Sequence, residues 1–238
     1  MESQNNKDKY FRNPSQDNEP GENFNSILGT GIRQLIRGKN QDAVDSLYRA
    51  MSLNENDVRV HINLGIAFTR LGEFDKAATI LKQGITVEKH PDLFTNLGSV
   101  YEKKGMFSEA FDCFNKSIAI KEDSESYMNI VRLLFTLERY DDSIKILTRI
   151  IEIEPTNITA YNNLGGVLIN QKRHDEAITI LSKATEQEEH PFTYEKLAIA
   201  HSRKGNYEES IGFYQKALEL KHPYPKQLNE EIKRLKKL

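Results

Sequence analysis

Tryptophan is missing from the 238 residues, and cysteine occurs once, at Cys113. A single thiol excludes an internal disulfide and any metal site built on several cysteines, which fits a reducing compartment. It reads as a small buried hydrophobe. No segment approaches the ~20 apolar residues that span a bilayer. Runs such as 164–169 are far too short for that. The amino-terminal stretch MESQNNKDKYFRNPSQDNEPGE lacks the apolar core of a secretory signal. These absences predict a soluble, cytoplasmic protein. Positive charge is not in excess either: 33 Lys and Arg stand against 35 Asp and Glu, a net charge of -2. Proteins that grip duplex nucleic acid usually carry a basic surplus, so nucleic acid is disfavoured as a partner.

Motifs that carry catalysis are missing as well. No phosphate-binding loop, H-E-x-x-H or calcium loop occurs. The one G-x-G, Gly29-Thr30-Gly31, sits inside a helical pattern with no strand before it and no third glycine at the required place. Of the six histidines, no two stand three or four residues apart, the spacing of a helical metal site. His61 and His201 fall on apolar-facing places, while His90, His190 and His222 each precede a proline, which suggests structural roles. No catalytic residue, metal or cofactor is expected.

The first 22 residues hold only Met1, Tyr10 and Phe11 as sizeable apolar groups. That is too few to offset the entropy of ordering, so a disordered tail is predicted, inert or carrying a short docking motif at Tyr10-Phe11-Arg12.

What is present is repetition. A small residue, or once a valine, recurs at Gly31, Gly65, Gly98, Val131, Gly165 and Ala198, at spacings of 33 or 34 residues. Twelve residues after each comes a second small residue, at Ala43, Ala77, Ala110, Ser143, Ala177 and Ser210. Four further on stands a large one: Leu47, Leu81, Phe114, Leu147, Leu181 or Tyr214. Offsets of three and four put such residues on one helical face. Gly38, Gly72, Gly105 and Gly205 mark a turn between two helical segments, and prolines near the junctions stop the second. Each repeat is thus helix, tight turn, helix. The predicted divisions are 24–57, 58–90, 91–123, 124–157, 158–190 and 191–222. Residues 223–238 place Tyr224, Leu228, Ile232 and Leu235 at helical spacing, as an amphipathic helix that caps the last repeat.

The period and the recurring small and large places resemble the tetratricopeptide repeat family over about residues 24–222. The family's first large place is filled here by Ile27, His61, Phe94, Tyr127, Tyr161 and Tyr194, and the first repeat, with Thr30 and Gln34 at apolar places, is the most divergent. The resemblance implies an all-α fold, a right-handed superhelical solenoid of stacked antiparallel helix pairs. It also implies a concave groove lined by the first helix of each pair. Carried over, the sixth place of successive repeats is Asn63, Asn96, Asn129 and Asn163, then Lys196. An Asn amide can pair with both the C=O and the N–H of an extended peptide, whatever its side chains. Arg59, Lys103 and Arg132 make the groove mildly positive, suited to a partly acidic segment, and Ile66 and Phe135 offer apolar anchoring.

The groove therefore suggests a non-enzymatic adaptor or scaffold that holds an extended or amphipathic peptide segment of a partner protein. The Lys-Asn-Asn-Lys-Arg clamp of one subgroup, which grips terminal carboxylates, is broken, since its places read Leu28 and Ile32, Ile62 and Ile66, and Thr95 and Ser99. The resemblance leaves two alternatives open: a self-assembling scaffold on an organelle or cell-envelope complex, and the regulatory subunit of a separate enzyme.

Overall fold

The computed structural model describes residues 23–238. The expected tail, with Tyr10-Phe11-Arg12, lies outside the described residues. Those that are described form helices and no strands: α1 (Phe24–Ile36), α2 (Asn40–Leu53), α3 (Val58–Arg70), α4 (Phe74–Val87), α5 (Pro91–Lys103), α6 (Phe107–Ile120), α7 (Ser124–Thr136), α8 (Tyr140–Ile153), α9 (Ile158–Asn170), α10 (His174–Gln187), α11 (Pro191–Lys204), α12 (Tyr207–Glu219) and α13 (Pro225–Leu235). They divide into two compact units, the first ending at Glu122 and the second running Asp123–Leu238. Within each, consecutive helices pack in antiparallel pairs, as the all-α expectation required.

Local chemistry sets the helix starts. Asn23, Asp57, Asp123 and Asn157 each accept a hydrogen bond from a backbone N–H of the turn that follows, meeting donors the helix itself cannot satisfy. Pro91, Pro191 and Pro225 stand at the first helical positions of α5, α11 and α13, where the missing N–H has no helical partner to lose. His90 caps α5 through Nδ1, which accepts from the Asp92 N–H at 3.3 Å.

Packing within a pair depends on the recurring small residue. A Cβ added at Gly31, Gly65, Gly98 or Gly165 would stand within 2.7 Å of Leu47, Leu81, Phe114 or Leu181 respectively. The large residue of the second helix therefore rests on bare backbone of the first. In the first unit one core joins α1 through α6, with Leu47, Leu64, Leu81 and Leu93 fully enclosed. In the second, one cluster centres on Leu147, Ile150, Leu164 and Leu168, and another on Leu181, Leu197, Tyr214, Leu228, Ile232 and Leu235, which ties α13 to α12.

Recurrent polar contacts link one pair to the next. Lys104 reaches Asp75 at 2.5 Å, Gln171 reaches Asp141 at 2.8 Å, and Lys204 reaches Asp175. These are largely solvent-exposed, so each adds little to stability.

The turns are less uniform than the glycines imply. Gly38, Gly72, Gly105 and Gly205 have φ between 73° and 85°, but the same left-handed turn is made by Glu138 (φ 55°) and Lys172 (φ 61°). A side chain in that region is strained, whereas glycine is not. Glu138→Gly and Lys172→Gly should each stabilise the protein by about 0.5–1 kcal/mol, the relief of strain exceeding glycine's extra unfolded-state entropy. The shift of the urea unfolding midpoint measures this.

His61 fills the first large place of its helix and is 4% exposed. Burial lowers its pKa from the ordinary 6.5, only partly opposed by its contact with the Asp57 carbonyl. Burial also lowers that of His201, which packs its ring 5.1 Å from that of Phe213. A folded pKa below the unfolded one means that unfolding takes up protons. Stability is then full above the unfolded pKa and falls as pH drops through it toward the folded pKa. The thermal midpoint should decline from about pH 7 to about pH 5, and less steeply in His61→Phe.

Candidate functional site

The first helices of successive pairs are neighbours: α3 packs against α1 and α5 in the first unit, and α9 against α11 in the second. Residues at equal places on these helices therefore repeat along one face of each unit. Asn63 and Asn96 stand on that face of the first unit, and Asn129 and Asn163 on α7 and α9 of the second; all four are half-buried.

Three of these amides are anchored to their own helix. Asn63 Nδ2 donates to the Arg59 carbonyl at 2.7 Å, Asn96 Nδ2 to the Asp92 carbonyl at 2.8 Å, and Asn129 Nδ2 to the Glu125 carbonyl at 3.2 Å. This i−4 bond uses one N–H and restrains the side chain. A second N–H and the side-chain carbonyl remain. The carbonyl of Asn129 accepts from Arg132 Nη2 at 3.2 Å, while those of Asn63, Asn96 and Asn163 have no partner among the described residues.

The cations differ more from the sequence expectation. Arg59 is an ion-pair partner of Asp57 at 2.7 Å, also reaches Asn25 at 3.3 Å, and lies over the Phe24 ring. The hydrogen-bonded Arg59 guanidinium holds the Asp57 carboxyl below its ordinary pKa. Arg70 donates to the Leu35 carbonyl at 2.6 Å, closing the end of α1. Lys103 and Lys196 have no ion-pair partner among the described residues, and the Lys196 ammonium would stand 3.5 Å from a Cβ built on Gly166. Ile66 and Phe135 are half-buried and pack against the cores of their units while keeping an exposed edge. Thr95 turns toward α6, its hydroxyl 2.9 Å from that of Ser117.

A pocket of about 670 Å³ lies at the end of the second unit. α11 supplies Glu195, Ile199 and Arg203, α12 supplies Tyr207 and Tyr214, and α13 closes the far side. Sequence reasoning placed Tyr214 in the packing and α13 as a cap, and missed the space between them. One signal was available: where the other repeats carry Leu or Phe, this one carries a hydroxyl. Tyr214 is 5% exposed, and its hydroxyl has no hydrogen-bond partner among the described residues. Burial pushes its pKa up to about 12, with the carboxylates of Glu231 and Glu195 adding to the rise and Arg234 and Arg203 opposing it.

Beside the pocket, His222 is buried against the Phe192 ring at 4.7 Å, and its Nδ1 accepts from the Tyr224 N–H at 3.2 Å. Its Nε2 lies 3.3 Å from Glu195 Oε2, close enough for an ion pair but too poorly aligned for a hydrogen bond. Cys113 is buried, and burial pushes its thiol pKa up to about 11, which makes it unreactive. Among the described residues, no group of three or more His, Cys, Asp and Glu could hold a metal ion, and no helix is long and apolar enough to cross a membrane.

Models of the tetratricopeptide repeat match residues 60–92, 91–124, 124–157 and 156–222. The BBSome complex member BBS4 of Bos taurus is 25% identical over 127 residues, covering 53% of this chain and 24% of that protein. The TPR repeat-containing protein MJ1428 of Methanocaldococcus jannaschii is 29% identical over 121 residues, 50% of this chain and 21% of that protein. The chain thus spans a quarter or less of these curated relatives' length. Among solved structures, pilF of Pseudomonas aeruginosa superposes with a TM-score of 0.68 at 13% identity, over 90% of this chain and 96% of that one. YrrB, described as a TPR protein with an unusual peptide-binding site, gives 0.60 at 22% identity, over 82% and 100%. Both likenesses show the fold.

Proposed function

The chain belongs to the tetratricopeptide repeat family, and on that premise we propose that it is a non-enzymatic adaptor, cytoplasmic, which binds an extended or amphipathic segment of a partner protein on the faces that the first helices form within its units. One observation carries this reading. Half-buried asparagine amides with unused hydrogen-bonding capacity recur at the same place of successive helices, at Asn63 and Asn96 in one unit and Asn129 and Asn163 in the other, the first three restrained by an i−4 bond. Their free groups are not buried from solvent, so a partner's backbone can reach them. An amide that keeps a carbonyl and an N–H is complementary to a peptide backbone.

The ionic and apolar neighbours support a partly acidic segment with apolar side chains. Lys103 and Lys196 are unpaired among the described residues, Arg132 adds positive charge, and Ile66 and Phe135 present apolar edges. Arg59, engaged by Asp57, serves as a frame for α3 more than as a free cation. The names of BBS4, a complex member, and YrrB, with its peptide-binding site, accord with partner binding.

The test is affinity capture from the native cell with the wild type and with the Asn96→Ala, Asn129→Ala double variant. The wild type should retain a specific partner that the folded variant loses. Equal capture by both would remove the asparagines from the binding face.

A further inference from the structure

We propose that the open pocket bounded by α11, α12 and α13 is a second recognition site, which takes a mixed-charge peptide by seating its carboxylate on Arg203 and the Tyr214 hydroxyl and its neighbouring cation on Glu230. This site uses none of the asparagines, so it stands or falls separately from the groove on the first helices.

The charges around the pocket define what fits. Arg234 is satisfied by Glu231 at 2.7 Å. That leaves Arg203, which lines the pocket and has no partner among the described residues, with Glu230 and the poorly aligned Glu195 as the remaining anions. A lone cation set among carboxylates favours a ligand that carries charge of both signs. The Tyr214 ring is held by the core around it, while its hydroxyl has no partner among the described residues and is not buried from solvent. That hydroxyl can exchange water for an acceptor, and a carboxylate is the strongest one a peptide offers. A phosphate dianion is disfavoured, because Glu195, Glu230 and Glu231 all face the same space. Ile199 and Leu228 supply apolar wall between the charged groups, room for one apolar side chain between the acid and the base. α13 is then a wall of a binding site as well as a cover for the last pair.

The probe is the synthetic peptide acetyl-Gly-Glu-Leu-Arg-Gly-amide, titrated into the full ¹⁵N-labelled chain by NMR. Saturable shifts are expected in α11 and α13, with affinity about tenfold weaker for the Glu-to-Gln peptide and for the Arg203→Gln and Tyr214→Phe variants. Tyr214→Phe retains the buried ring, and circular dichroism verifies the fold of each variant. Glu230→Gln should weaken this peptide but leave one with norleucine in place of arginine unaffected. The Asn96→Ala, Asn129→Ala variant should bind the probe as the wild type does. The proposal is overturned if no saturable shift arises, if folded Arg203→Gln binds equally, or if inorganic phosphate moves the same amides at lower concentration.

Discussion

Gly98→Val is expected to lower the stability of the protein by about 3 kcal/mol, at the top of the range for overpacking a core. Even a single Cβ at this place would stand 2.6 Å from Phe114 Cε1 and 2.8 Å from Cδ1. Phe114 has no room to retreat, being fully enclosed. The helices must separate or the ring must leave its rotamer, and valine adds two methyl groups to the conflict. Gly166→Ala is the internal contrast. Its Cβ would meet only the mobile end of Lys196, at 3.5 Å, so it should gain the helix-propensity difference of about 1 kcal/mol. Urea unfolding of both variants measures the pair. In α7 and α11, by contrast, Val131 and Ala198 occupy the same place at 1% and 0% exposure, and the helix approach already includes a side chain.

Truncation after Lys221 is expected to lower stability by about 4 kcal/mol and to create a sticky end. α13 buries Leu228, Ile232 and Leu235 to 2%, 7% and 2% exposure. Each such side chain is worth about 1.5–3 kcal/mol when fully buried, an upper bound because the unfolded chain hides part of the same surface. Removing the helix also uncovers apolar atoms of α12 around Tyr214, and an end repeat without a polar-backed cover is prone to association. The urea midpoint should fall, and light scattering should show concentration-dependent association absent from the full chain. A loss below about 1 kcal/mol with no association would show that α13 contributes little to closing the core.

The helix pairs were legible because packing repeats with the sequence. The place held by Gly65 is read from its neighbours at 33 and 34 residues, and the structure gives the reason in the Leu81 contact. Four glycine turns were legible for the same cause, but the left-handed Glu138 and Lys172 were not. The penalty for a side chain there is only about 1–2 kcal/mol, which packing on both sides can override. Charge was the least legible feature. Arg59 read as a free groove cation, yet an Asp two residues away engages it. The pocket was hidden because Arg203 and Glu230 lie on helices separated by α12, and only tertiary packing lines them up on one cavity. The i−4 bonds of the asparagines are local, so their spacing was visible, but not the carbonyls left unpaired in Asn63, Asn96 and Asn163.

On the proposed function these amides hold a partner's backbone. Isothermal titration with the captured partner's bound segment measures this for the wild type, Asn96→Ala, Asn129→Ala and the double variant. Each single change should weaken binding by about 1–3 kcal/mol, the usual penalty for leaving peptide groups unpaired in an interface. Unfolding curves of the variants should match the wild type, because the lost bond is a solvent-accessible one within a single helix. Unchanged affinity in the folded double variant would contradict the account.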